Sequence, residues 1–139
     1  MKLDSERARY RFINQRVARL ATASAAGQPH LVPIVFAVER DVIYSAVDAK
    51  PKSTTALRRL ANIAANPRVT ALVDHYDEDW SQLWWARADG TARLAGGAEA
   101  AAALALLTAR YPVYERQRPG GPVVAIDVIR WTGWSAASP

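Results

Sequence analysis

RVARLATASAAGQPHLVPIVFAV, residues 16–38, decides the fold. ARLATAS reads as a strand, and AAGQP ends it with a turn signal. HLVPIVFAV then carries apolar residues on both faces, the pattern of a buried strand. Pro33 sits awkwardly inside it, because proline donates nothing to a sheet ladder. It marks a bulge, an edge, or a place where something other than a strand approaches the backbone. ERD is a short turn and VIYSAV a further strand, so the two apolar runs read as a hairpin.

Working outward, residues 4–16 read as an N-terminal helix, with Tyr10, Ile13 and Val17 at helical spacing among arginines. On the other side lies DAKPKSTTALRRLANIAANP, residues 48–67. Leu57, Leu60 and Ala64, joined by Ile63, form an apolar stripe. Ser53 or Thr54 is the natural N-cap, and Asn66 and Pro67 stop the helix. RVTALVDHY and QLWWARADGTARL read as two more strands, and Asp89-Gly90 in the second is either a hairpin turn or a bulge in one long strand. GGAEAAAALALLTARYP is a helix, PVYERQRPGGP a loop and VVAIDVIRWTGW a last strand. About six strands in successive hairpins, with helices inserted, predict a mainly β fold: a small antiparallel barrel in one domain over residues 1–139.

The chain has 139 residues, half of them hydrophobic and 22% charged, which predicts a globular domain with a real core. It has no cysteine, which excludes disulfides, thiolate zinc sites and cysteine nucleophiles. The charged start MKLDSERARYRF lacks the apolar stretch of a signal peptide, and no run approaches the length of a membrane helix, so a cytoplasmic location is expected. The net charge of +5 favours anionic partners. Nucleic acid is not expected, because the basic residues are not interleaved with a stacking aromatic platform.

KPKSTT, residues 50–55, carries the clearest chemistry. A helix N-terminus presents unpaired N–H groups and the positive end of the helix dipole. Hydroxyls add donors and lysine adds a mobile cation, a competent phosphate site. The glycines of a Walker loop are missing. On spacing alone, a phosphate site and a capped surface helix are both open.

RVARLATASAAGQPHLVPIVFAV together with VIYSAVDAKPKSTTALRRLANIAANPRVTALVDHYDEDWSQLWWARADGTARL resembles the flavin-type split-barrel family, which includes pyridoxamine phosphate oxidase and the FMN-binding proteins. More narrowly it resembles the actinobacterial branch that uses the deazaflavin coenzyme F420. The likeness spans residues 5 to 134. It implies a six-stranded antiparallel split β-barrel of the FMN-binding type, forming a homodimer with two cofactor sites at the interface. It implies that the strand of Pro33, Ile34, Val35 and Phe36 offers backbone groups to the ring edge. Tyr44 and Ser45 would lie near the ring or its side chain, and Lys50, Lys52, Ser53 and Thr54 would hold the phosphate. The partner chain would contribute around Trp80, Trp84 or Trp85, and around Arg116 and Arg118. The implied activity is hydride transfer between F420 and a small organic substrate, with an FMN protein or a non-catalytic F420 carrier as alternatives. No catalytic side chain is implied; a product proton would come from solvent, Tyr44 or His75. The basic balance suits the anionic F420 tail, to which Lys50, Arg58 and Arg59 would add charge.

Other candidates read as structural. The five tryptophans suit core or dimer packing, with cofactor stacking second. His30 and His75 are isolated histidines. Asp74, His75, Asp77, Glu78 and Asp79 resemble a metal cluster on paper, but adjacent acids at a strand end are usually solvated, and no metal is expected.

Overall fold

The computed structural model describes residues 1–48 and 54–137, with the backbone alone at 54–56. The elements in chain order are β1 (Lys2–Leu3), α1 (Ser5–Ile13), β2 (Ala18–Ala23), β3 (Pro29–Ile34), β4 (Ala37–Glu39), β5 (Val42–Ala46), α2 (Thr54–Ala65), β6 (Arg68–His75), β7 (Trp84–Ala95), α3 (Gly97–Arg110) and β8 (Val123–Ser135). Short 3-10 turns occupy Trp80–Gln82 and Pro112–Glu115.

All strand pairs are antiparallel, in the order β3-β2-β6-β7-β8-β5-β4, with β1 added beside β8. The two ends of that path, β3 and β4, are consecutive in the chain. Only Val35 and Phe36 separate them, so Ile34 and Ala37 lie at most about 11 Å apart. The sheet therefore curls back on itself into a barrel whose split falls between β3 and β4. Alternation along the strands sends Leu20, Val32, Ile34, Ile43, Val69, Ala71, Val73, Ala86, Ala88, Val124 and Ile126 to one face, and these form the main core. Phe12 of α1 enters it, its ring 5.0 Å from Phe36 and 5.3 Å from Trp131. Helix α3 covers the opposite face of β5 and β8 over Tyr44, Val123 and Ala125.

The expected fold class holds, but four details differ from the sequence reading. The run HLVPIVFAV is two strands, which with β1 raises the count from six to eight. Its first half, β3, is exposed on one face at Leu31 and Pro33 rather than buried on both, and Pro33 takes the edge, one of the three readings open to it, where a missing donor is tolerated. The buried face of α1 is Ala8 and Phe12, while Tyr10 is exposed. On α2, Leu60 and Ile63 reach the core while Leu57 and Ala64 face out, and the polar Asn62 is buried beside Ile63.

Asp89-Gly90 is a bulge, not a turn. Asp89 pairs with Arg130 and Gly90 with Val128, which leaves Ile129 as the extra residue of β8. A Cβ at Gly90 would run into the Asp127 carbonyl, so the close approach of the two backbones requires glycine. Helix α1 starts as its sequence dictates: the Asp4 side chain caps the Arg7 N–H at 2.8 Å, with Glu6 in the first turn and Arg11 in the last.

Candidate functional site

Lys50, Lys52 and Ser53 lie outside the described residues. Thr54 opens α2, and its side chain is not described. One turn further along α2, Arg59 is half-buried, and its Nε is buried with no hydrogen-bond partner. Burial holds its guanidinium below its ordinary value, and Tyr114 acts on it electrostatically. Burial likewise pushes the Tyr114 hydroxyl up, with Tyr111 and Asp48 adding to the effect. A guanidinium out of water without a full set of acceptors is costly, and an anion would relieve it.

Tyr114 also packs in the cluster that holds Val35, Ala37, Ala46, Leu107 and Tyr111. While acting on Arg59 of α2 electrostatically, it therefore sits at the β3–β4 junction. There the Val35 carbonyl accepts from Ser45 Oγ at 3.0 Å. The Phe36 N–H donates to Tyr111 Oη at 3.2 Å, and its carbonyl accepts from Arg110 Nη1 at 2.9 Å. Phe36 has no solvent exposure. Its polar groups are thus engaged within the chain, unlike the free-edge side of Pro33 and Ile34 on β3. Tyr44 is buried under α3 and donates to Glu99 Oε2 at 2.7 Å. Burial first, and that hydrogen bond second, push the Tyr44 hydroxyl up to about 12, which makes it a reluctant proton donor. Arg93 in turn clamps Glu99 (2.6 and 2.9 Å) and Asp127 (2.8 and 3.1 Å), so Tyr44 belongs to a fully paired network.

The tryptophans divide by environment. Trp131 is core, with its Nε1 donating to Asp41 at 3.0 Å. Trp80 is exposed in its 3-10 turn. Trp84, Trp85 and Trp134 line a cleft of about 430 Å³ with Leu72, Leu83 and His75. Arg11 lies over Trp84 at 5.0 Å, Arg87 lies over Trp85 at 5.4 Å, and the His75 ring stacks on Trp84. This cleft shares no residue with the group around Tyr114, Val35 and Ser45. The acidic run folds onto itself: Asp77 accepts the Asp79 N–H at 2.7 Å, and Asp79 accepts from Ser81.

The family resemblance grouped Val35 and Ser45 with the start of α2; of these, the structure joins Ser45 to the Val35 carbonyl. Sequence reasoning missed Tyr114, Arg110 and Tyr111, because a loop tyrosine and a helix-end Arg-Tyr pair carry no spacing signal of their own.

No curated protein matches this chain. Solved structures do. A FAD-binding protein from Mesorhizobium loti superposes with a TM-score of 0.74 at 21% identity, covering 96% of this chain and 95% of that one. A FAD-binding protein from Mycobacterium smegmatis gives 0.66 at 18%, covering 96% of each chain. The heme storage protein HutZ of Vibrio cholerae gives 0.72 at 14%, covering 97% and 95%. At such identities the likeness is one of fold. The pyridoxamine 5'-phosphate oxidase family model matches residues 5–135. With nearly its whole length matched and the split-barrel topology formed, the chain belongs to the pyridoxamine 5'-phosphate oxidase family.

Proposed function

We propose that the protein is an oxidoreductase that binds the deazaflavin coenzyme F420 and transfers a hydride between it and a small organic substrate. The carrying observation is Arg59: a buried guanidinium nitrogen without a partner, one turn after the Lys-Pro-Lys-Ser-Thr segment and within electrostatic reach of Tyr114. An anionic phosphate there would satisfy it, with Lys50, Lys52, Ser53 and Thr54 supplying further donors. The free edge of β3 at Pro33 and Ile34, continued by Val35, supports the reading that this backbone faces the ring edge. F420, when bound, supplies the hydride chemistry. The chain binds, orients and excludes water. Because Tyr44 is tied to Glu99 and held protonated, solvent or His75 is the better proton source.

In this reading the site is completed by a second copy. Trp80, Trp84 and Trp85 lie apart from the Tyr114 group, so a partner chain would bring its tryptophans across a homodimer interface. A flavin, FMN or a relative, is the second reading, favoured by two similar structures that are FAD-binding proteins.

Titration of purified protein with oxidised F420 and separately with FMN, followed by tryptophan fluorescence, tests the proposal. F420 is expected to bind more tightly, and Lys52→Ala and Arg59→Ala are each expected to weaken it about tenfold or more, the loss of one charge-assisted hydrogen bond. Preference for FMN would move the chemistry to flavin, and absence of both would overturn the proposal. Turnover of reduced F420 against a substrate panel separates an enzyme from a carrier.

A further inference from the structure

We infer that Arg110 and Tyr111, at the end of α3, are positioning residues that set the β3–β4 junction for the ring. The inference rests on the reading that Pro33–Val35 face the cofactor. Val35 and Phe36 belong to neither flanking strand, so no ladder fixes their direction. Their backbone groups still require partners. Two side chains from α3 supply them at Phe36. Tyr111 Oη accepts the Phe36 N–H at 3.2 Å and lies 3.0 Å from the Phe36 carbonyl. Arg110 Nη1 donates to that same carbonyl at 2.9 Å, with the guanidinium 4.8 Å from the Phe36 ring.

The same pair is anchored to α1 and the connection that follows it. Arg110 Nη2 donates to the Ile13 carbonyl at 2.9 Å and also to the Gln15 carbonyl. Tyr111 Oη lies 2.8 Å from the Arg16 carbonyl. Arg16 returns the contact, donating to the Arg110 carbonyl at 2.8 Å and covering the Tyr111 ring at 4.7 Å. The Tyr111 hydroxyl has one proton and two carbonyls within reach, Arg16 and Phe36. It serves the first without loss, since Arg110 already serves the second.

The consequence is geometric. The clamp bridges the α1–β2 connection and the split of the barrel, at the point where the two ends of the sheet path meet. Burial keeps the Arg110 guanidinium below its ordinary value, yet three carbonyl acceptors and the Phe36 and Tyr111 rings hold it in place. That is an expensive arrangement for packing alone. Removing Tyr111 Oη frees the Phe36 N–H and leaves the Val35–Phe36 peptide held on its other side by Ser45 Oγ at the Val35 carbonyl, so the peptide can tilt. A purely structural role would lower stability and leave a bound ring unchanged; a positioning role alters the ring's environment beyond any loss of stability.

The test compares Tyr111→Phe and Arg110→Lys with Ile126→Val, a core truncation on β8 that leaves the polar contacts of Val35 and Phe36 in place and serves as the control for lost stability. F420 and FMN are titrated into each, and the absorption band of the bound cofactor is recorded. Tyr111→Phe is expected to weaken binding about five- to tenfold beyond the Ile126→Val control and to shift the bound band, with Arg110→Lys intermediate. Equal affinity and an unmoved band in Tyr111→Phe would overturn the inference. If the native protein binds neither cofactor, the reading of the preceding section fails separately. Amide exchange then decides the clamp: slow exchange at Phe36 that becomes fast in Tyr111→Phe upholds it, and unchanged exchange overturns it.

Discussion

Asn62 illustrates how one residue is fixed by its surroundings. It lies among the apolar positions of α2, is almost fully buried, and donates from Nδ2 to Thr22 Oγ1 at 3.0 Å. Thr22 is buried as well. Asn62→Ala strands the Thr22 hydroxyl and is expected to lower stability by about 1–3 kcal/mol. The double variant Asn62→Leu, Thr22→Val removes both polar groups and is expected to recover most of that loss. Urea unfolding of the native protein, the single variants Asn62→Leu and Thr22→Val and the double variant measures the coupling, and strict additivity would mean the hydrogen bond contributes nothing. Glu99 offers a pH counterpart. Arg93 first and the Tyr44 hydroxyl second pull its carboxyl down to about 2, from 4.5 in an ordinary setting. Between those values the unfolded chain binds more protons than the folded one, so this contribution is complete above pH 4.5 and fades as pH falls toward 2. The melting-temperature gap between native protein and Glu99→Gln is therefore expected to narrow across that window. A constant gap would show that Glu99 is not held by Arg93 and Tyr44 in solution.

Among the elements, β7 shows why sequence pattern went only so far. Its length was readable from alternating residues, but hairpin and bulge remained equal alternatives, because Asp-Gly suits both. The pairing with β8 decides it, and pairing is a long-range fact. Gly90→Ala forces the two backbones apart at the bulge and is expected to destabilise by about 3 kcal/mol. Gly96→Ala, where a Cβ meets nothing within 4 Å, serves as the control and is expected to lose far less. Equal melting temperatures for the two would rule out the close approach. The break at Val35-Phe36 was hidden for a related reason. Apolar residues continue across it, and only the curl of the sheet makes a corner there. The buried face of α1 was hidden because Phe12 sits among arginines, although Ala8 and Phe12 do keep the four-residue spacing of one helix face. The Lys-Pro-Lys-Ser-Thr segment was legible as residue types, whereas the burial of Arg59 and of Tyr114 follows only from packing.

Across the whole molecule, several arginines are committed to contacts inside the chain. Arg9 donates to the Arg40 carbonyl and pairs with Asp41, Arg16 and Arg110 hold the α3 clamp, and Arg93 joins Glu99 and Asp127. These contacts fix where those charges sit; the net +5 already counts every carboxylate and is unchanged by them. Among the described residues no helix is long and apolar enough to cross a membrane. What the fold leaves open is a sheet face. Helix α3 covers one flank, but among the described residues the outward side of β2, β6, β7 and the second half of β8 carries no helix. Ile129 there is 76% exposed, Leu31 on β3 is 65% exposed, and Trp85 and Trp134 border the cleft. A standard interface takes about 800 Å² from each partner, roughly a tenth of the 8230 Å² this chain presents. The proposed homodimer is expected to use this face. Ile129 is the bulge residue, so its side chain can be exchanged without opening the core. Sedimentation of the native protein at micromolar concentration is expected to give a dimer. Leu31→Glu with Ile129→Glu is expected to give a folded monomer that has lost cofactor affinity along with its partner. A monomeric native protein that still binds F420 or FMN tightly would remove the second copy from the site and leave the phosphate segment, Arg59 and the β3 edge to hold the cofactor alone.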